Sequence, residues 1–347
     1  MIRAARQRWP DAQIDVIGFP GTLGILKGNA DVRGLLASDP KQGWRGALQL
    51  LRSIWNQYEL VLITQPSDRA HLIGWAATRH YRSGLLPRHH PSNWWKKRLL
   101  DHVIESDGDD SGIHVVQEKL ALLEPWYVGK SAEHHVQPPS ETALPSALAQ
   151  ALRPEAIVVH APSMWRYKQW PVAHFRELIG ALTAMGHQVV LTGSASANDQ
   201  ACVQQLLDAG PATQILDTSG QLDWNQLTTL FKRVALYIGP DTSVTHLAAA
   251  CGVKVITLFG PTNPARWGPW ALAPNSGQET TSGYQKRKAL QRVFNVTLVQ
   301  STLPCVPCTK AGCENHNQSR SDCLPDIKPQ QVMQLVQQLL PAPSSHD

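Results

Sequence analysis

The sequence predicts an α/β fold built on parallel β-sheets. Its 347 residues correspond to about two domains at roughly 150 residues each. Beyond residue 155, short runs of β-branched residues alternate with longer segments whose apolar residues recur every three or four positions. Strands that alternate with helices in this way form parallel sheets with helices on both faces.

Composition narrows the class of protein further. The chain is 42% hydrophobic and 17% charged, with a formal net charge of +5. That balance suits an anionic substrate or a weak attraction to an acidic membrane surface, and it is too even for a nucleic-acid-binding protein. No apolar run is long enough for a transmembrane helix, and the opening MIRAARQRWP lacks the apolar core of a signal peptide. We therefore expect a cytoplasmic protein.

The N-terminal half, residues 1–137, reads as one domain. Its predicted elements are a helix ending near Trp9, strands at Gln13–Gly18 and Leu60–Thr64, and helices at Gly43–Gln57 and Ser67–Arg79. A basic, aromatic stretch follows, from Arg88 to Arg98. The opening helix is unexpected, because a doubly wound domain begins with a strand.

A polar, proline-rich linker is predicted at 138–154, before a C-terminal domain at 155–327. The domain's predicted strands are Ala156–His160, Gln188–Thr192, Thr213–Leu216, Ala235–Gly239 and Lys254–Phe259, and its helices are Val172–Met185, Asp199–Asp208, Trp224–Phe231 and Thr242–Cys251. A final helix and a polar tail occupy 328–347.

The most informative segment, residues 239–252, follows the strand that ends at Gly239. Asp241 is placed to cap the next helix, and His246 shares a helical face with Thr242 and Ser243. A helix N-terminus that carries hydroxyls and an imidazole suits a diphosphate. The alternative is a capped helix whose histidine is satisfied by its neighbours.

Two more segments follow predicted strands, where doubly wound sheets bind ligands. The loop at 258–270 is rich in Gly, Pro and Trp, and it predicts either an aromatic-walled pocket or a plain structural turn. In the segment 159–171, Lys168 lies at a helix entrance where an anion would be held, and Ser163 and Arg166 are within reach. An ordinary surface lysine is the alternative interpretation of Lys168.

Four cysteines cluster before the last helix, as Cys305, Cys308, Cys313 and Cys323. Four thiols at such close spacing are able to hold zinc. The spacing is not the paired C-x2-C of a zinc ribbon, however, so free or packed thiols are favoured over a metal site.

Together these segments resemble glycosyltransferase family 9, the ADP-heptose:lipopolysaccharide heptosyltransferases. The resemblance rests on K-x-W-P at 168–171, D-T-S-x-x-H-x-A-A-A at 241–250 and F-G-P-T-x-P at 259–264, in that order. The cysteine cluster is also similar to that of many members. The R-W-G-P-W element at 266–270 is similar to the heptosyltransferase III-like branch, which adds a side-branch heptose.

The resemblance implies a GT-B fold, in which two Rossmann-like domains face each other across a cleft. It implies inverting transfer of heptose from ADP-heptose to the inner core of lipopolysaccharide, with no metal or other cofactor. Lys168 would then stabilise the departing ADP. The residues that match the donor site are Ser163, Lys168, Asp241, Thr242, Ser243 and His246.

Two departures from the family pattern bear on the chemistry. The family commonly has Gly in place of Ser243 and a larger apolar residue in place of Thr245. Its proposed general base is an aspartate that follows a first strand, and Asp11 and Asp15 lie beyond the first helix instead. We therefore expect the base to be encoded upstream of Met1.

The basic stretch is the predicted acceptor side. Lys96, Lys97 and Arg98 follow Trp94 and Trp95, and aromatic residues with cations suit a phosphorylated lipid at a membrane surface. A solvated helix end is the alternative. We expect a monomer in peripheral contact with the cytoplasmic face of the inner membrane, with no nucleic-acid partner.

Two other functions stay open at this point. One is a GT-B glycosyltransferase with another donor or acceptor, and the other is a non-catalytic protein that binds a nucleotide sugar. A dehydrogenase is disfavoured, because no strand–GxGxxG–helix unit is present.

Overall fold

The computed structural model describes residues 1–127, 136–272 and 283–340. The chain divides into two compact units, residues 1–135 and 136–347. The strands of the first unit are β1 (Asp15–Gly18), β2 (Gly34–Ala37), β3 (Leu60–Ile63), β4 (Tyr81–Pro87) and β5 (His102–Ser106). Its helices are α1 (Ile2–Arg8), α2 (Pro20–Leu23), α3 (Gly43–Ile54), α4 (Asp68–Ala77), α5 (Asn93–Arg98) and α6 (Val115–Ala121).

Parallel pairing joins β1 to β2, and a separate three-stranded parallel sheet has the order β3-β4-β5. Helices pack on both faces of the β3-β4-β5 sheet. Neighbouring residues of a strand point to opposite sides, so Val61 and Leu62 contact different helices. Val61 packs in the cluster that contains Leu50 and Ile54 of α3, whereas Leu62 packs with Ala5 of α1 and the residues of α6.

The second unit contains a seven-stranded sheet. Its strands are β6 (Ile157–His160), β7 (Val189–Thr192), β8 (Ile215–Asp217), β9 (Leu236–Pro240), β10 (Lys254–Phe259), β11 (Leu290–Val293) and β12 (Val296–Gln300). Its helices are α7 (Ser146–Ala151), α8 (Val172–Ala184), α9 (Ala197–Gln204), α10 (Trp224–Phe231), α11 (Ser243–Ala250), α12 (Pro264–Trp267), α13 (Cys323–Asp326) and α14 (Pro329–Leu339).

The strand order of this sheet, β11-β12-β10-β9-β6-β7-β8, contains a change of direction. From β6 the chain builds outward through β7 to β8, then returns to place β9 on the other side of β6. The connections after β6 and β9 therefore lead away from each other. A crevice opens at such a topological switch point, beyond the carboxyl ends of the two strands.

The predicted α/β class with parallel sheets is confirmed, and the predicted elements agree with the observed ones to within a few residues. Strand β4 was missed because Arg82, Ser83 and Gly84 interrupt its apolar run, although the sheet buries most of the strand. Within the predicted linker, Leu144 and Leu148 pack in a core cluster of the second unit.

The final helix, α14, packs against α8. The tail predicted at 341–347 lies outside the described residues. Among the helices that the structure describes, none combines the length and apolar character needed to span a membrane.

Candidate functional site

Polar side chains from two connections meet at the carboxyl ends of β6 and β9. The connection after β6 carries Lys168, and the connection after β9 carries Asp241. The Lys168 ammonium donates a hydrogen bond from Nζ to Asp241 Oδ2 at 2.6 Å. The structure therefore brings together two of the residues that the sequence predicts for the donor site, at the switch point of the sheet.

Buried packing fixes the connection that carries Lys168. Trp170 is 1% exposed, lies edge-on against Phe175 and donates a hydrogen bond from its indole Nε1 to the Ile327 carbonyl at 2.9 Å. Pro171 then precedes α8 as its N-cap residue. Because Trp170 is anchored in the core, the lysine two residues earlier has little freedom to leave the switch point.

Asp241 is a buried carboxylate between two nitrogen-bearing side chains. It is 5% exposed, and its Oδ1 lies 3.7 Å from Nε2 of His246. Burial alone would raise the pKa of Asp241, but the nearby Lys168 charge and the His246 imidazole outweigh it and hold that pKa well below its usual range. Asp241 therefore stays ionised and positions the side chains of Lys168 and His246.

The start of α11 differs from the sequence prediction. Asp241 is not the N-cap; that position belongs to Thr242, whose side chain makes no capping hydrogen bond. The Asp241 carboxylate is drawn to Lys168 instead, because an ion pair outweighs a cap for a buried charge. The first N–H groups of α11 thus have no side-chain acceptor from the cap, which is the state that suits an incoming anion.

Thr245, an unusual residue for the family pattern, has a structural explanation. Its buried hydroxyl donates to the Pro240 carbonyl at 2.5 Å and lies 2.8 Å from the Tyr237 hydroxyl. Burial raises the pKa of Tyr237, so its hydroxyl stays protonated. This network ties β9 to α11 directly behind the Lys168–Asp241 pair.

The other predicted donor residues lie on the same connections. Ser243 is exposed and Thr242 is half-buried at the start of α11, and the His246 side chain is 36% exposed. Ser163 is half-buried, and its hydroxyl oxygen accepts a hydrogen bond from the Trp165 backbone N–H at 3.3 Å. The exposed hydroxyls and imidazole of α11 are available to a ligand.

The Gly/Pro/Trp loop after β10 is held by two buried amides. Gln300 Nε2 donates to the carbonyls of Gly260 and Thr262 at 3.0 and 2.9 Å. Asn263 is fully buried, and its Oδ1 accepts from the Ala265 N–H at 3.1 Å at the start of α12. Sequence reasoning missed Gln300, because nothing local marks a glutamine as the support of a distant loop.

His160 ends β6 but belongs to the core. Its Nδ1 lies 3.0 Å from the Thr192 hydroxyl, and burial lowers its pKa to about 4. The imidazole is therefore neutral at ordinary pH and serves as a packed polar side chain.

The predicted acceptor residues do not form one surface. Lys96 is only 3% exposed, and its ammonium donates to the Pro66 carbonyl at 2.8 Å and pairs with Asp68 at 2.7 Å. The expectation that Lys96 belongs to an exposed cationic surface is wrong, because α5 turns this side chain inward. Lys97 and Arg98 are exposed, with Lys97 paired to Glu105.

The four clustered cysteines are free thiols. Burial first, and then the neighbouring thiols of Cys308, Cys313 and Cys305, together raise the pKa of Cys323 to about 12. Cys305 and Cys313 are exposed. Across the ranges that the structure describes, no group of three or more His, Cys, Asp or Glu side chains is arranged to hold a metal ion.

Comparison with known proteins gives a consistent result for the whole chain. The model of glycosyltransferase family 9 (heptosyltransferase) matches residues 47–315. Lipopolysaccharide heptosyltransferase 3 of Escherichia coli K12 is 27% identical over 296 residues, which cover 82% of this chain and 84% of the relative.

Two solved structures share the fold. E. coli ADP-heptose lps heptosyltransferase II superposes with a TM-score of 0.68 at 18% identity, over 97% of this chain and 92% of that one. E. coli heptosyltransferase WaaC with ADP gives a TM-score of 0.68 at 16% identity, over 98% and 94% of the two chains. These likenesses confirm the predicted GT-B fold.

Proposed function

The chain belongs to glycosyltransferase family 9, the heptosyltransferases, and from that membership we propose that it transfers heptose from ADP-heptose to the inner core of lipopolysaccharide. The names of its relatives support transfer of heptose to lipopolysaccharide, and the name of one structural relative includes ADP-heptose. The R-W-G-P-W element at 266–270 favours the side-branch heptose as the product. The enzyme works as a monomer at the cytoplasmic face of the membrane in which its acceptor is anchored.

The observation that carries this proposal is the Lys168–Asp241–His246 cluster at the switch point. Asp241 fixes the Lys168 ammonium beside the first turn of α11. When the bond between the anomeric carbon and the diphosphate breaks, the bonding electrons leave with ADP. A fixed ammonium and free helix N–H groups stabilise that growing charge more than they stabilise the bound donor, which is how they accelerate the reaction.

The remaining donor residues complete the site. Thr242 and Ser243 offer hydroxyls at the N-terminus of α11, His246 faces the diphosphate from the next turn, and Ser163 lies on the connection that carries Lys168. An acceptor hydroxyl attacks the anomeric carbon from the face opposite to ADP and gives up its proton to a general base, so a single displacement inverts that centre. Lys97 and Arg98 take acidic groups of the acceptor.

Release of ADP is the measurement that tests the proposal. Purified protein is incubated with ADP-heptose and with lipopolysaccharides whose inner cores are truncated at successive heptoses. We expect ADP release with one truncation, and inversion at the new linkage by NMR. Binding of ADP-heptose without turnover on any acceptor would indicate a non-catalytic binding protein. Turnover only with another nucleotide sugar would overturn the donor assignment.

A further inference from the structure

Large apolar side chains point to solvent from two neighbouring helices of the first unit. On the α3 side the exposed residues are Trp44, Leu48 and Trp55, at 72%, 38% and 46%, and on α4 they are Leu72 and Trp75, at 51% and 46%. The two sets meet where the rings of Trp55 and Trp75 lie edge to face, 5.7 Å apart. We name these five residues the tryptophan face.

This face is additional to the stripe that packs in the core. Helix α3 already buries Leu50 and Ile54 beneath it, in a cluster with Val61 and Ala77. A helix that covers a domain normally presents polar residues on its outer side. A second apolar stripe, turned outward and continued on the neighbouring helix, is typical of a surface that docks on something.

Arginines predominate among the charged side chains around the face, although the Asp101 carboxylate lies 3.9 Å from Arg82 Nε. Arg45, Arg52 and Arg79 are exposed beside it, and the Arg45 guanidinium lies 5.5 Å from the Trp44 ring centroid. Helix α3 contains no acidic residue, and Asp68 of α4 is already paired with Lys96. The face therefore combines indole rings with arginines and suits an anionic partner.

A cavity of about 330 Å³ opens between Trp55 and Trp75, and Arg79 and Arg82 also line it. The Arg82 Nε is buried, donates no hydrogen bond and lies 3.9 Å from the nearest Asp101 carboxylate oxygen. Within the part of the chain that the structure describes, the Arg79 guanidinium has no hydrogen-bond or ion-pair partner. Two guanidinium groups with unused donors give this cavity the chemistry that an anionic group would need.

The cavity is separate from the chemistry of the strand ends. Thr78 and Arg79 immediately precede β4, and Trp55 and Asn56 precede β3. The cavity thus lies at the amino ends of these parallel strands, whereas α/β sheets bind substrates at the carboxyl ends.

We propose that the tryptophan face docks on a membrane of anionic phospholipid, with the phosphate of one headgroup in the cavity between Arg79 and Arg82. Tryptophan is favoured at the membrane–water interface, where its ring is apolar and its N–H stays wet. Guanidinium groups bind phosphate through paired hydrogen bonds. The inference rests on the proposed function only in that a lipid-anchored acceptor gives the docking a purpose.

The test is the binding of the full chain to vesicles that contain no lipopolysaccharide, so its result does not depend on sugar transfer. We expect sedimentation with vesicles of phosphatidylglycerol in phosphatidylcholine, and loss of that binding at high salt. Brominated lipids should quench the tryptophan fluorescence of the unaltered protein, a readout that needs no variant. Transfer itself is assayed separately, on acceptor dispersed in detergent.

Two paired variants locate the surface. Arg79→Gln with Arg82→Gln should weaken vesicle binding more than tenfold, since each cation near an anionic surface is worth about fivefold. Trp55→Ser with Trp75→Ser should also weaken it more than tenfold, since two indole rings no longer bury apolar area in the membrane. Phe294→Asn and Arg233→Gln, exposed positions on the second unit, are the matched controls and should bind as the unaltered chain does. Circular dichroism establishes that all four proteins are folded.

Several results would overturn the proposal. Equal binding to vesicles of pure phosphatidylcholine would show that docking needs no anionic headgroup. Unchanged binding of both paired variants, in folded protein, would move docking to another surface. If the unaltered chain were a dimer and the double tryptophan variant a monomer, the face would be a contact between two copies of the chain. If an acidic sugar bound in the cavity without any membrane, the cavity would be a saccharide site.

Discussion

Two lysines of this chain, Lys168 and Lys96, look alike in sequence and differ in the structure. Both lie in basic segments beside tryptophan, and both pair with an aspartate, at 2.6 Å for Lys168 and 2.7 Å for Lys96. The burial of the two pairs is reversed. The Lys168 side chain is 22% exposed and its Asp241 partner 5%, whereas Lys96 is 3% exposed and Asp68 is 65% exposed.

The reversal assigns the two lysines different work. A buried carboxylate that holds a partly exposed ammonium presents positive charge to whatever enters the site, and the ammonium keeps free donors for it. The buried ammonium of Lys96 lies beside an exposed carboxylate and donates its hydrogen bonds within the protein, to the Pro66 carbonyl and to Asp68. Proximity to tryptophan and positive charge therefore do not identify a binding lysine, but the burial of its partner does.

The largest expected effect comes from removing the Lys168 charge. Lys168→Met should lower kcat for ADP release by about 10²- to 10³-fold, because the departing diphosphate loses its fixed cation. It should also destabilise the fold by about 2–3 kcal/mol, since Asp241 is left as an unpaired buried charge. Steady-state kinetics and urea unfolding measure the two effects.

The double variant Lys168→Met with Asp241→Asn separates these effects. It no longer buries a charge, so most of the stability should return while kcat stays low. If activity returned together with stability, Lys168 would be a structural residue like Lys96, and the contrast between the two lysines would fail.

A second expected effect concerns two histidines near the site, one buried and one partly exposed. His160 is buried and its pKa is lowered to about 4, whereas the His246 side chain is 36% exposed. Below pH 6.5 the His160 imidazole binds a proton in the unfolded chain, whereas in the folded protein it stays neutral down to about pH 4. Stability should therefore fall across this window, by about 3 kcal/mol at its lower end.

Replacement of His160 by Gln removes that titration. We expect the difference in unfolding free energy between the variant and the unaltered chain to change with pH between 6.5 and 4 and to be constant above 7. The constant difference above pH 7 is the internal control for this comparison. A pH-independent difference for His160→Gln would show that His160 binds its proton equally well in the folded and unfolded protein, which would overturn the lowered pKa.

The smallest expected effect distinguishes Lys96 from its neighbour. Lys96→Met should lower the unfolding free energy by about 1–2 kcal/mol, because it removes two charge-assisted hydrogen bonds from the packed end of α5. It should leave kcat and the KM for acceptor within about threefold. Lys97→Ser is the matched control, with stability unchanged and a raised KM for acceptor. A Lys96 variant of full stability but raised KM would restore the acceptor role that the sequence predicts for it.

Much of the donor side could be predicted because its signals are local. The order of strands and helices in the second unit follows from apolar runs a few residues long, and Lys168, Asp241 and His246 stand where those runs end. The first unit was harder to predict. Its strands β2, β4 and β5 are short or interrupted by polar residues, and pairing with neighbouring strands, which no local pattern encodes, makes them strands.

The sequence by itself determined the α/β class, the family and the motif segments from which we propose the donor site, since each depends on residue types at fixed spacing along the chain. Only the tertiary structure decided that Asp241 holds Lys168 across 73 positions and does not cap its own helix. It alone buried Lys96, put Gln300 beneath a distant loop and joined two apolar stripes into the tryptophan face. The physical reason is common to all of these: the free energy of a charge or an indole ring depends on its surroundings, and residues far apart in the chain supply those surroundings.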